Sequence, residues 1–193
     1  MKKTIFEIKE ESQIPYGDQV NSIRKTLLNG GNSRGLNPLI YGLKRFSNYL
    51  LMMLAYIMPF NAVRIRLNKW KGVNIGNNVY IGMFVFLDNA YPEYIYIEDN
   101  AAVNAGSMLV AHFNLKKHFE SLIVARVSPI VIKEGAMIAV RSIILPGVTV
   151  GEYAMVSAAS VVSENVEAYT LVRGNPAVRI AKYNYKMITK EKI

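Results

Sequence analysis

A six-residue repeat constrains this chain more than any other feature. Consecutive hexapeptides open on Ile132, Ile138, Ile144, Val150, Val156 and Val162, and their fifth positions are Ala136, Ser142, Val148, Ala154, Ser160 and Val166, all small or β-branched. Such a period matches neither the 3.6 of a helix nor the two-fold alternation of a strand. A chain spaced this way turns a corner every six residues, sending one aliphatic side chain per flat into a narrow core and placing a small residue near each corner. Three flats make a coil, and stacked coils pair their backbones in the parallel direction. The expectation is a mainly β chain wound as a parallel β-helix of about four coils, on a count of three hexapeptides per coil.

The same register recurs upstream as Ile75, Ile81 and Leu87, with Val79 and Val85 in the fifth column, and again as Ile97, Val103 and Leu109, with Ala101 and Ser107. Ten residues separate Leu87 from Ile97 and 23 separate Leu109 from Ile132, and neither number is a multiple of six. The chain therefore leaves the coil twice, over 88–96 and over 112–130. The first excursion begins at Asp88 and the second at His112. Loops projecting from a rigid scaffold are where function concentrates.

Around the coils, residues 1–71 read as an N-terminal arm and helical cap, 72–173 as the β-helix, and 174–193 as a basic C-terminal helix. The breaker cluster Asn29-Gly-Gly-Asn-Ser-Arg-Gly35 closes the arm, Pro38 starts a helical run that Pro59 interrupts, and Gly174-Asn-Pro-Ala177 stops the repeat. These ends are placed to cover the open core. Three roles suit residues 39–60: packing across the coil end, which is preferred, contact between subunits, or peripheral contact with a membrane. Lys44, Arg45, Arg64 and Arg66 beside an apolar face serve the last. The apolar stretch 46–60 is broken by Ser47 and Asn48 and falls short of the ~20 residues that span a bilayer.

With 193 residues, 51% of them hydrophobic, the chain can bury one sizeable core. It has no cysteine, which excludes disulfides, thiolate nucleophiles and thiolate metal ligands. Glu7, Glu10 and Glu11 interrupt the start where a secretory signal would be apolar, so a cytoplasmic location is expected. The net charge of +9 favours anionic partners. Nucleic acid is not expected among them, because basic and aromatic residues are not interleaved in any one segment.

The most specific pieces are Gly72-Val-Asn-Ile-Gly-Asn-Asn-Val-Tyr-Ile-Gly82, Ile144-Leu-Pro-Gly-Val-Thr-Val-Gly151, Val156-Ser-Ala-Ala-Ser-Val-Val162 and Gly174-Asn-Pro-Ala177. Together they resemble the hexapeptide-repeat acyltransferases, especially the branch that O-acetylates sugars and polysaccharides, over residues 72–182. The resemblance implies a left-handed winding, a homotrimer with sites between subunits, acetyl-CoA as co-substrate, no metal, and a histidine just before an extruded loop. Here that histidine is His112, as general base. It further implies Val140, Ala158, Ser163, Arg179 and Lys182 as cofactor contacts, the last two toward the nucleotide phosphates. This chain departs from the pattern at Met137, at Ala139-Val140 and at Ser163-Glu164.

The chemistry itself asks for such a base. A sugar hydroxyl is a poor nucleophile until its proton is taken as it attacks a thioester carbonyl, and imidazole, with a reference pKa near ~6.5, suits that task. Without cysteine or a Gly-x-Ser-x-Gly elbow, direct transfer is simplest. Asp88 is expected to bind the acceptor or to orient His112 from an adjacent chain, against its bland role in a tight turn. Tyr91, Tyr94 and Tyr96 could stack on a sugar ring, although outer-face aromatics are common in strands. His118 reads as a solvent-exposed loop residue. Three alternatives stay open: N-transfer to an amino sugar, a metal hydratase like the γ-class carbonic anhydrases, for which His112 and His118 supply too few histidines, and a non-catalytic β-helix scaffold.

Overall fold

The computed structural model describes residues 3–13, 38–113 and 122–184; His118, the 29–35 breaker cluster and residues 185–193 lie outside them. The hexapeptide register becomes three parallel sheets forming the faces of a left-handed β-helix. The first sheet stacks Asn74–Ile75, Ile95–Ile97, Ile130–Ile132 and Thr149–Val150. The second stacks Tyr80–Ile81, Ala102–Val103, Met137–Ile138, Met155–Val156 and Thr170–Gly174. The third stacks Phe86–Leu87, Met108–Leu109, Ile143–Ile144 and Val161–Val162. Four coils cross all three faces, and a fifth pass begins at Val166, bridged to Val150, and ends in Thr170–Gly174.

The first-column residues lie directly over one another inside the prism: Ile75, Ile97, Ile132 and Val150 on one face, Ile81, Val103, Ile138 and Val156 on the next, Leu87, Leu109, Ile144 and Val162 on the third. All are buried. Each such side chain contributes about 1.5–3 kcal/mol by leaving water. The fifth column is small because it sits where coils turn. Its serines are fully buried and satisfied between coils: Ser107 Oγ donates to Ala139 O at 2.9 Å, Ser142 Oγ to Ser157 O at 2.9 Å, and Ser160 Oγ accepts from Gly174 N at 3.1 Å.

At the corner between the second and third sheets, Phe84, Gly106, Arg141 and Ala159 all have positive φ, between 57° and 72°. Their N–H groups run a ladder up the edge, Gly106 to Met83 O, Arg141 to Ala105 O and Ala159 to Val140 O, each at 3.0 Å. Repeating the same left-handed residue in every coil is what keeps the edge straight.

Two helices precede the coils, α1 (Pro38–Ile57) and α2 (Asn61–Lys71), parted near Pro59 as the sequence suggests. The first coil has no coil beneath it, so its downward carbonyls need other donors. Helix α2 supplies them: Arg64 Nε to Ile81 O at 2.7 Å, Lys71 Nζ to Leu87 O at 2.7 Å, and Asn61 Nδ2 to Val79 O at 3.1 Å. Covering the coil end, expected of residues 39–60, is thus the work of α2; α1 packs on α2 and keeps most of its large apolar side chains exposed.

The expected C-terminal helix is also corrected. Ala177–Lys182 is a strand, pairing antiparallel with Thr170–Gly174 after a reversal at Gly174, whose φ is 107°. The free edge of the second sheet offers unpaired backbone groups, and Val178 and Ile180 are β-branched, so strand pairing outcompetes helix. At the other end of the chain, residues 3–13 lie along the first sheet: Thr4 N donates to Asp99 Oδ2 at 2.8 Å and Lys9 N to Tyr96 OH at 2.9 Å. Ser12–Gln13 then pairs antiparallel with Arg126–Val127, in the second excursion.

Candidate active site

Both excursions leave the coil at the same corner, that between the third and first sheets. Asp88 follows the strand Phe86–Leu87, and its N–H donates to Leu109 O at 3.0 Å, so the first departure is tied to the coil above. The carboxylate turns back on its own loop. Oδ1 accepts from the N–H groups of Ala90 at 2.9 Å and Tyr91 at 3.1 Å, and Oδ2 accepts from Ala111 N at 2.9 Å. Oδ2 also receives Nδ1 of His112, which opens the short strand His112–Phe113. That strand pairs antiparallel with Arg126–Val127, whose other side carries Ser12–Gln13, so a small three-stranded sheet holds the histidine where the second excursion begins.

Because the carboxylate can only accept, Nδ1 carries the proton and Nε2 is left with its lone pair free for a substrate proton. Asp88 is wholly buried, whereas the His112 side chain keeps 18% of its surface exposed. The ring of Tyr91 tilts against the imidazole, centroids 5.1 Å apart, and narrows its freedom further. Burial alone would raise the Asp88 carboxyl, but the hydrogen bond and charge of His112, with the N–H groups of Tyr91 and Ala90, outweigh it and hold the group below the usual carboxylate range. The carboxylate therefore stays ionised. The arrangement is a carboxylate–imidazole pair with one face open, fit for general-base chemistry.

The sequence reading placed Asp88 against the acceptor or against the histidine of a neighbouring chain. The structure pairs Asp88 with His112, but within one chain and out of reach of an acceptor, since Asp88 has no exposed surface to offer a substrate. Tyr91 belongs to the histidine, while Tyr94 and Tyr96 meet the N-terminal arm, Tyr94 OH lying 3.2 Å from Ser12 Oγ. Among the described residues no three His, Asp or Glu side chains converge as a metal would require.

Of the expected cofactor contacts, Val140 and Ala158 stack on one edge of the prism, the corner of the positive-φ ladder, joined through Ala159 N to Val140 O. Val140 also borders a surface cavity of about 590 Å³ with Tyr56, Phe84, Ala105, Gly106 and Arg141. Arg141 is a cation on that edge which the sequence reading missed; its only signal was its place directly after Val140. Ser163 follows the last strand of the third sheet and so lies on the edge of His112, not that of Val140. Arg179 and Lys182 sit on the final strand, where Glu167 meets them at 3.7 and 2.9 Å, all three exposed. Within one chain the width of the third sheet separates the Val140 edge from His112.

No family model matches the chain. It is 27% identical over 135 residues to YvoF of Bacillus subtilis, which carries the provisional name of acetyltransferase; the match covers 69% of this chain and 75% of that one. It is 45% identical over 62 residues to the dTDP-3-amino-3,6-dideoxy-α-D-galactopyranose 3-N-acetyltransferase of Aneurinibacillus thermoaerophilus, a match spanning 32% of each protein. Among solved structures, a hexapeptide-repeat acetyltransferase of Vibrio cholerae superimposes with a TM-score of 0.64 at 22% identity, covering 83% of this chain and 99% of the other. The same protein in complex with acetyl-CoA gives 0.61 at 22% identity, covering 85% and 100%.

Proposed function

We propose that this chain, a member of the hexapeptide-repeat acetyltransferase family, moves an acetyl group from acetyl-CoA to a hydroxyl of a sugar or polysaccharide precursor, with His112 as the general base. The observation that carries the reading is the partly exposed imidazole of His112 held by the fully buried carboxylate of Asp88. Nε2 takes the acceptor proton as its oxygen attacks the thioester carbonyl. The tetrahedral intermediate then collapses, the C–S bond breaks, and the imidazolium returns the proton to the departing sulfur, so that coenzyme A leaves as the free thiol. Asp88 is a positioning residue: it keeps the proton on Nδ1 and steadies the transient positive charge. A hydroxyl acceptor fits this pair well, because an alcohol, unlike a neutral amine, needs its proton removed as it attacks.

In this reading Val140 and Ala158 present low relief along which the pantetheine arm lies, and Arg141 is a cation available to the phosphates; Ser163, Arg179 and Lys182 are weaker contacts, Ser163 by its edge and the two cations by their pairing with Glu167. Because the Val140 edge and His112 lie on different corners, the site closes when the edge of one protomer faces the histidine of the next, and a homotrimer achieves this. The likeness to an N-acetyltransferase over 62 residues favours a second reading, transfer to an amino sugar by the same base.

Thiol release from acetyl-CoA, measured over a panel of hydroxyl and amino sugars, tests both. His112→Ala should lower turnover by about 10²–10⁴-fold, and Asp88→Asn, which permits the wrong tautomer, should also lower kcat strongly while leaving acetyl-CoA binding intact. Equal turnover by wild type and His112→Ala would remove the histidine from the mechanism. Failure of the wild type to bind acetyl-CoA would favour a non-catalytic scaffold.

A further inference from the structure

Helix α1 carries its apolar side chains on the wrong side for a helix whose partner is the protein. The face turned inward presents Asn48 and Ala55, both buried, with Met52 half-buried beside them. On the opposite side Leu43, Phe46, Leu50, Met53 and Ile57, spaced three and four residues apart, form one stripe, and each is 50–66% exposed. Toward the end of the helix the stripe opens into an apolar groove of about 490 Å³ between Leu50, Met53 and Ile57 and the third-sheet residues Phe86 and Met108.

The charge around this stripe has one sign. Residues 38–87 contain no Asp or Glu, and Lys44, Arg66 and Lys69 are exposed there. Trp70 on α2 is 67% exposed and Tyr49 on α1 is 47% exposed, side chains with an apolar body and a polar handle. No described helix is long and apolar enough to cross a membrane. Two copies meeting through this same surface would bring cations against cations with no acid in the stretch to offset them. An anionic leaflet meets both demands at once, since its acyl region accepts the stripe and its headgroups accept the lysines and arginine.

We propose that α1 and the outer face of α2 dock this protein on a membrane leaflet containing anionic lipid, with α1 lying in the plane of the interface. The proposal is independent of acetyl transfer. Its test is co-sedimentation of the full chain with vesicles of phosphatidylcholine alone and of phosphatidylcholine with about one-third phosphatidylglycerol. The wild type should sediment with the anionic vesicles and not with the neutral ones. Replacing Lys44, Arg66 and Lys69 together by Gln should weaken that binding by on the order of 100-fold. Phe46→Gln combined with Met53→Gln should abolish it while the circular dichroism stays unchanged, all five positions being exposed. The idea fails if the wild type ignores anionic vesicles, or if neither variant alters its binding. It fails equally if the wild type ignores vesicles and Phe46→Gln with Met53→Gln lowers the mass seen by light scattering, because the stripe is then a contact between copies.

Discussion

Burial decides the character of two charged side chains near the candidate base. Asp88 is ringed by donors and stays ionised. Lys71, buried and bonded through Nζ to Leu87 O, has its ammonium drawn down to about 8 by burial, with the charge of Asp88 pulling the other way. An unfolded lysine keeps its proton up to about 10.5. Between those values the unfolded chain binds more protons than the folded one, so this residue's contribution makes stability rise with pH over that window. Urea midpoints measured across the window should climb more steeply for the wild type than for Lys71→Met; parallel curves would contradict the assignment. His112 and Asp88 were both legible as residues that open an excursion. Their contact within one chain was not, because the 23 residues between them hold the first excursion and a coil, and only the stacking of that coil brings the two departures to one corner.

Among the elements, the coils follow from the sequence almost residue for residue, since each hexapeptide carries its own aliphatic and its own small residue. Their closeness sets a sharp condition at Gly82. A Cβ placed there would stand 2.4 Å from Ala105 N and 2.8 Å from Ala105 Cα, and that backbone belongs to the next coil and cannot swing aside. Gly82→Ala should therefore cost about 2–4 kcal/mol, read as a lowered denaturation midpoint with an unchanged slope; an unshifted midpoint would mean that the coils can separate at no cost. The flanking elements were less legible. Residues 177–182 have a helix-compatible composition and become a strand because a sheet edge waits for them. Residues 39–60 are apolar enough for a cap, yet the cap needs side-chain donors for orphan carbonyls, and those are Arg64, Lys71 and Asn61 on α2.

For the whole molecule, the separation of the Val140 edge from the His112 corner makes a specific demand on assembly. If one protomer supplies the cofactor wall and its neighbour the base, two separately inactive variants can complement each other. His112→Ala mixed with Val140→Trp, denatured and refolded together, should regain activity at a minority of its sites, those that receive both intact edges. A mixture no more active than its components would place the complete site in one chain. The positive charge distributes unevenly in this picture: the 38–87 region is cationic without acids, whereas Glu98, Glu134, Glu152 and Glu167 lie at or near the corner between the first and second sheets.

What the sequence determined by itself was everything that repeats. A period of six needs only local chemistry, an aliphatic residue per flat and a small one per corner, and it carried the β-helix, its coil number and the two places where the chain departs. What the tertiary structure decided was everything that depends on which coil lies over which. Stacking joined Asp88 to His112, divided the expected cofactor contacts between separate edges, gave Arg64 and Lys71 the orphan carbonyls of the first coil, and left the apolar stripe of α1 facing outward. Each of these joins residues far apart in the chain, and no local pattern records such a distance.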